Sequence, residues 1–226
     1  MRIFADRTAA GRALGRRLAD MSLGAPVLVL GLPRGGIPVA CEVGTALDAP
    51  VDALIVRKLG APFNPELALG AIAYGGVTVY NDDLLEQLRL DEADLEAVRS
   101  RELAELARRE EAYRAGRAPL AIGGATVVIV DDGMATGATM HAAVVATRAL
   151  GPARIVVAVP TAAVDAVERL ARVADEVVAL ATPEPYFGVG AWYGSFPQLT
   201  DGEVVAALAA AAKRELSTSA RSRDTA

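Results

Sequence analysis

Five short runs rich in Val, Ile and Leu, at residues 27–32, 51–56, 126–130, 155–159 and 176–180, carry no polar alternation. A strand with one face in water alternates, so runs of this kind are read as strands buried on both faces. Between them lie segments of helix length at 6–20, 37–47, 137–150 and 162–173. Strand and helix taken in turn predict an α/β fold: an open, mostly parallel sheet flanked by helices on both sides. The remainder is assigned to loops. A chain of 226 residues can bury a sizeable core, and one compact domain over 1–212 is expected, followed by a polar, frayed tail at 213–226.

Composition removes several classes of function. With 53% hydrophobic and 23% charged residues the chain is not disordered. Its net charge is -5, and no stretch gathers the basic residues that phosphate-backbone binding needs, so no nucleic-acid partner is expected. Cys41 is the one cysteine and His141 the one histidine, which excludes a cysteine-based zinc cluster. Both are read as packing or surface residues. The amino terminus lacks an apolar signal core, and nowhere do 18 apolar residues run together. A cytoplasmic protein with no membrane association follows.

Residues 82–117 stand apart, with 18 of 36 positions charged. Leu95, Val98, Leu106 and Tyr113 fall close to multiples of 3.6, which predicts a long helix with one apolar stripe. The piece is read as a helical insertion between sheet strands: a solvated pair packed by its stripe, or else a lid or dimer arm.

The chemistry concentrates in VVIVDDGMATGATM, residues 127–140, where an apolar strand meets two carboxylates, a glycine-containing loop and a helix start. The first amides of a helix lack intrahelical partners and sit at its positive end, so the junction can hold a phosphate. Gly133 and Gly137 let the loop curl, and Thr136 and Thr139 add hydroxyls. Asp131 and Asp132 would repel a phosphate beside them and must face something else. Carboxylates accept hydrogen bonds, and a vicinal diol offers two donors. A phosphorylated pentose therefore fits. The same acids would stabilise positive charge at an anomeric carbon, or a Mg²⁺ ion held mainly by substrate oxygens and water. A Walker loop, a dinucleotide fingerprint and a G-x-S-x-G elbow are all missing from the sequence.

This stretch closely resembles the phosphoribosyl pyrophosphate (PRPP) signature of the type I phosphoribosyltransferases. The resemblance covers roughly residues 24–180 and is strongest over 126–140. It implies that Asp131 and Asp132 bind the ribose hydroxyls and that Met134, Ala135, Thr136, Gly137, Ala138 and Thr139 cradle the 5-phosphate. It also implies a pyrophosphate loop after an early strand, for which LPRGG at 32–36 is the candidate, with Arg34, Gly35 and Gly36 as ligands. Such loops often carry a non-proline cis peptide, here assigned to Pro33–Arg34 or a neighbour. Arg57 and Lys58 precede GAPFNPELALGAIA, which looks like the family's mobile loop, and with Arg34 they would form a cationic site for the leaving group. Lys58 is one of two lysines in a chain with 21 arginines.

Five of the ten aromatic residues fall between Tyr186 and Phe196. The family places a C-terminal hood there, at 183–200, and Phe187 and Trp192 are candidates to stack on a heterocycle, with a small satellite core as the other reading. Ala135 stands where 6-oxopurine members carry an Asp, which argues against hypoxanthine or guanine. LPRGG and the hood look most like a bacterial branch of the family, which names no acceptor.

The expected activity is Mg²⁺-dependent transfer of ribose 5-phosphate from PRPP to a nitrogenous acceptor, with Asp131, Asp132, Lys58 and Arg57 as catalytic residues and Asp131 and Asp132 facing the metal through water or substrate oxygens. A homo-oligomer, most simply a dimer, is expected. The alternative is a protein that senses PRPP or a nucleotide on the same fold without turnover, and a weaker one is a hydrolase of a phosphorylated pentose or nucleotide.

Overall fold

The computed structural model describes residues 2–24, 26–61, 63–88 and 92–224. Five parallel strands form the main sheet: β1 (Val27–Gly31), β2 (Val51–Ala53), β6 (Thr126–Val130), β7 (Arg154–Thr161) and β8 (Glu176–Ala181), in the order β2-β1-β6-β7-β8. Helices α1 (Arg7–Ala19) and α2 (Gly36–Leu47) cover one face, and α5 (Ala138–Arg148) and α6 (Val164–Leu170) the other. The missing polar alternation is explained directly. Val128, Val130, Val156 and Ala158 pack towards Leu14, Val39 and Val43, while their chain neighbours Val127, Ile129, Ile155 and Val157 pack towards Met140, Val144 and Leu170. Each fully buried Val, Leu or Ile contributes about 1.5–3 kcal/mol.

Three readings of the sequence are corrected. The run 51–56 is not one strand: Leu54 donates its N–H to Gly31 O (3.0 Å) and the chain then leaves the sheet. The segment read as a mobile loop is instead an antiparallel sheet, β3 (Val56–Ala61), β4 (Asn64–Ala73) and β5 (Val77–Tyr80), in the order β3-β4-β5. The carboxyl-terminal segment read as a polar tail belongs to a helix, α7 (Asp201–Asp224). Thr200 and Glu203 cap that helix reciprocally: the Thr200 hydroxyl accepts from Glu203 N (3.3 Å) and the Glu203 carboxylate accepts from Thr200 N (2.8 Å). Residues 225 and 226 of the expected tail lie outside the described residues, as does Pro62 of the expected mobile loop.

The insertion forms α3 (Asp82–Leu88) and α4 (Glu92–Arg114), residues 89–91 lying outside the described residues. Its predicted stripe is the packed face: Val98, Leu106 and Tyr113 are buried, and Leu95 is partly so, against Ile55 in the link from β2 to β3, Leu59, Leu69 and Ile72 of β3 and β4, and Val204 and Leu208 of α7. The helix is anchored at its end by Asp52, which accepts from Arg114 (3.0 Å) and Arg117 (3.0 Å). Among the described residues no helix is long and apolar enough to cross a membrane.

Candidate active site

β1 and β6 are neighbours in the sheet, with β2 on the far side of β1 and β7 on the far side of β6. Connections leaving the carboxyl ends of β1 and β6 therefore diverge and open a crevice, the usual ligand position in open α/β sheets. The loops at that crevice are 32–36 and 131–137, the two that carry the predicted anion sites. They touch. Leu32 donates to Val130 O (2.9 Å), and a Cβ on Gly35 would lie 2.0 Å from Asp132 Oδ2, so only glycine allows this approach. The Pro33–Arg34 peptide is cis, at the bond expected for it.

Asp131 Oδ1 accepts from the Asp132 amide (2.8 Å). Asp132 Oδ2 accepts from Arg7 Nε (2.7 Å), and Arg7 also donates to Pro197 O (2.8 Å) and lies over the Phe196 ring, 3.8 Å from its centre. The Tyr193 hydroxyl donates to the Asp132 carbonyl. Burial and the adjacent Asp132 charge push Asp131 well above the usual carboxylate range. Burial raises Asp132 as well, and the Arg7 guanidinium only partly offsets it.

In the following loop Gly137, with φ 73°, turns the chain into α5, and Thr136 Oγ1 accepts from Ala138 N (3.4 Å). Ala135, Thr136, Ala138 and Thr139 are exposed in the crevice. Met134 is not: its side chain is buried in the core, its N–H donates to Thr161 O (2.9 Å) and its carbonyl accepts from Ala163 N (2.9 Å). It anchors the loop and has no amide to offer, which corrects its assignment as a phosphate ligand. Gly133 also allows a close approach, since a Cβ there would lie 2.5 Å from Val189 Cγ1 of the hood.

Eight of the predicted residues divide between two cavities that share no lining residue. One, of about 560 Å³, brings Arg57 and Lys58 together with Pro33, Thr136, Ala138 and Thr139. The other, of about 410 Å³, is lined by Arg34, Gly35, Asp132, Arg7 and the hood residues Val189 and Phe196 to Leu199. Arg34 thus does not join Arg57 and Lys58. Its guanidinium lies 3.8 Å from Asp201, which also accepts from the Tyr113 hydroxyl (2.6 Å). The cationic cavity is completed by Arg101 and Arg109 of α4, which the sequence reading missed, and by Glu102, which pairs with Arg57 (2.6 Å) and Arg101 (3.2 Å). Asp131 and Gly36 are among the lining of neither cavity, although Gly36 packs directly on Asp131: a Cβ there would lie 2.9 Å from its Cα.

The aromatic segment forms a small core of its own. Phe4, Tyr193 and Phe196 pack in sequence, with ring centres 5.7 Å and 4.9 Å apart, and Trp192 packs on Tyr186 at 5.9 Å. Trp192 is buried and Phe187 is 76% exposed, and neither lines a cavity of the site. The structure therefore does not bring these two together with the loops: Trp192 is buried against Tyr186, and Phe187 stands in solvent away from both cavities. His141 is exposed on α5 and lines neither cavity.

Comparison with known proteins gives a consistent answer. Two proteins from strains of Mycobacterium tuberculosis, provisionally named phosphoribosyl transferases, are each 54% identical to this chain over 208 residues, covering 92% of it and 47% of their own length. The chain thus spans about half the length of these curated relatives. The crystal structure of TT1426 from Thermus thermophilus superposes with a TM-score of 0.85 at 48% identity, covering 92% of this chain and 98% of that one. Residues 7–190 match the family described as the phosphoribosyl transferase domain, so the strands, both loops and the start of the hood all fall within the match, and the chain belongs to that family.

Proposed function

We propose that this domain transfers ribose 5-phosphate from PRPP to a nitrogenous acceptor and releases pyrophosphate. The observation that carries the reading is the contact of the 32–36 and 131–137 loops at the crevice, with the carboxyls of Asp131 and Asp132 at the crossing and a cationic cavity shared by Arg57, Lys58, Thr136 and Thr139. In the reaction the bond from the anomeric carbon to the pyrophosphate oxygen breaks, a bond from the acceptor nitrogen to that carbon forms, and the acceptor's proton passes to solvent. The amides and hydroxyls of residues 135–139 would hold the 5-phosphate at the positive end of α5. Asp131 and Asp132 would take the ribose hydroxyls and stabilise positive charge on the sugar. Arg57 and Lys58 would neutralise the departing pyrophosphate. The donor set suits Mg²⁺, being hard carboxylate oxygens whose own repulsion a cation relieves, and the ion would be held through water or donor oxygens, where it lowers the charge on the leaving group. Orientation and electrostatics, without a covalent nucleophile, would supply the rate.

The test is to incubate the chain with PRPP, Mg²⁺ and a panel of nitrogen heterocycles and amines, following pyrophosphate, and to search a metabolite extract by mass for species that gain ribose 5-phosphate. Acceptor-dependent pyrophosphate release is expected. Tight PRPP binding with no turnover across the panel would assign a sensor instead, and release without any acceptor would assign a hydrolase.

A further inference from the structure

We propose that α4, the inserted helix, is a third anion-binding wall of the donor cavity and that Arg109 is a direct ligand of a donor phosphate; this rests on the donor reading above. Arg109 lines the cationic cavity with Arg57, Lys58 and Thr139, and it also lines a narrow extension of about 20 Å³ together with Leu32, Pro33 and Thr139. It therefore faces residues of both the 32–36 loop and the start of α5. Its position is fixed from behind. Leu106 and Tyr113 of the same helix are buried against the strand segments and α7, and Glu105 accepts from Arg109 Nε (2.7 Å). That bond uses one edge of the guanidinium, and among the described residues no hydrogen bond is formed by its two terminal nitrogens. A planar fork with its back edge held and its front edge facing a cavity suits bidentate phosphate binding. The lining charges agree: four cations, Arg57, Lys58, Arg101 and Arg109, against the one carboxylate of Glu102.

A surface salt bridge within the helix would give Arg109 the same bond to Glu105 and no ligand. Arg108 separates the two cases. It also pairs with Glu105 (2.8 Å), is more exposed, and does not line the cavity. The experiment is calorimetric titration of the full chain, and of its Arg109→Gln, Arg109→Lys and Arg108→Gln variants, with inorganic pyrophosphate and separately with ribose 5-phosphate, each variant's fold being checked by thermal unfolding. Arg109→Gln should weaken at least one ligand roughly ten- to a hundredfold, the scale of one lost charge-assisted hydrogen bond pair. Arg109→Lys should recover part of that loss, and Arg108→Gln should bind as the unaltered chain does. The ligand that weakens names the phosphate Arg109 holds. Unchanged binding by Arg109→Gln, or equal losses in Arg108→Gln, would overturn the inference while leaving the donor reading intact. Failure of the unaltered chain to bind either ligand would overturn the donor reading itself, and this inference with it.

Discussion

Gly35→Ala tests the loop crossing on which the site depends. The added Cβ would lie 2.0 Å from Asp132 Oδ2 and 2.5 Å from its Cγ, far inside contact distance, so the carboxylate or the loop must move by roughly an ångström or more. Overpacking of this kind costs about 1–3 kcal/mol. If the carboxylate gives way it leaves Arg7, whose side chain is only 10% exposed, and the loss of a buried partner can cost a further ~3 kcal/mol. The low end of that range applies, because burial already holds Asp132 above the ordinary carboxylate range and the pair is incompletely compensated. For a domain of this size each kcal/mol moves the unfolding midpoint by about 2–4 °C, so overpacking alone should lower Tm by about 2–12 °C. The assay is thermal unfolding of Gly35→Ala, Arg7→Met and the double variant, with Gly202→Ala, whose added methyl meets nothing within 4 Å, as control. If the methyl acts by displacing Asp132 from Arg7, the two changes will be non-additive by at least about 1 kcal/mol. A Gly35→Ala chain that melts within a degree of the unaltered one and binds pyrophosphate equally well would refute the crossing as drawn.

The remaining predictions are shorter. Asp131→Asn with Asp132→Asn should abolish PRPP binding or turnover, and unchanged kinetics would end their assignment to the ribose. Because the folded chain holds a proton on Asp131 more tightly than the unfolded chain does, stability should fall as pH rises from the ordinary carboxyl range through the raised value, and Asp131→Asn alone should flatten that part of the curve of Tm against pH. Lys58→Ala should lower kcat for pyrophosphate release more than it raises KM for PRPP, and an effect on KM alone would leave Lys58 with binding only. Burial against α7 pushes the Cys41 thiol up to about 11, so at pH 8 its thiolate fraction, and its rate of alkylation by iodoacetamide, should lie about a hundredfold below a free cysteine's.

What the sequence reveals here follows the distance over which the information is stored. The parallel strands were legible because double-sided burial leaves its mark inside each run, as Val127 and Val128 show by packing on opposite faces. The insertion's stripe and the 131–139 junction were legible for the same local reason. β4 was not, since Ala and Gly are poor strand formers and the segment Asn64–Ala73 extends only because β3 and β5 pair with it on either side. Its one local signal is the Gly75–Gly76 pair, both with positive φ, between two strand segments. α7 had a readable start in Thr200-x-x-Glu203, passed over beside the polar tail. Arg7 and Arg109 left no signal: Arg7 lies 125 residues from its partner Asp132, and Arg109 reads along the chain as one more helix-face charge.

The arginines around the two cavities already have carboxylate partners, and the differences among those pairs sort their roles. Arg34 meets Asp201 at 3.8 Å with side chains 41% and 53% exposed, and Arg109 meets Glu105 with both side chains about a third exposed. Water screens such pairs, so each is weak: the Arg34 pair can open to a phosphate, and the Arg109 pair costs little to keep while its other edge takes one, each charge-assisted hydrogen bond to phosphate contributing about 1.5–3 kcal/mol. Arg7 and Asp132 are both nearly out of water, and separating them would leave a buried charge at a cost of about 3 kcal/mol, no less than one new bond returns. On the donor reading proposed above, Arg7 would therefore remain on Asp132 when a ligand enters, while Arg34 would turn to the incoming anion and Arg109 would meet it with the edge that Glu105 does not hold. A monovalent anion meets one cation at a time and gains little over the carboxylate it replaces. On the donor reading proposed above, a ligand carrying several phosphates would meet the cations of both cavities at once, and a site built this way would favour such a ligand without any contact that reads its identity.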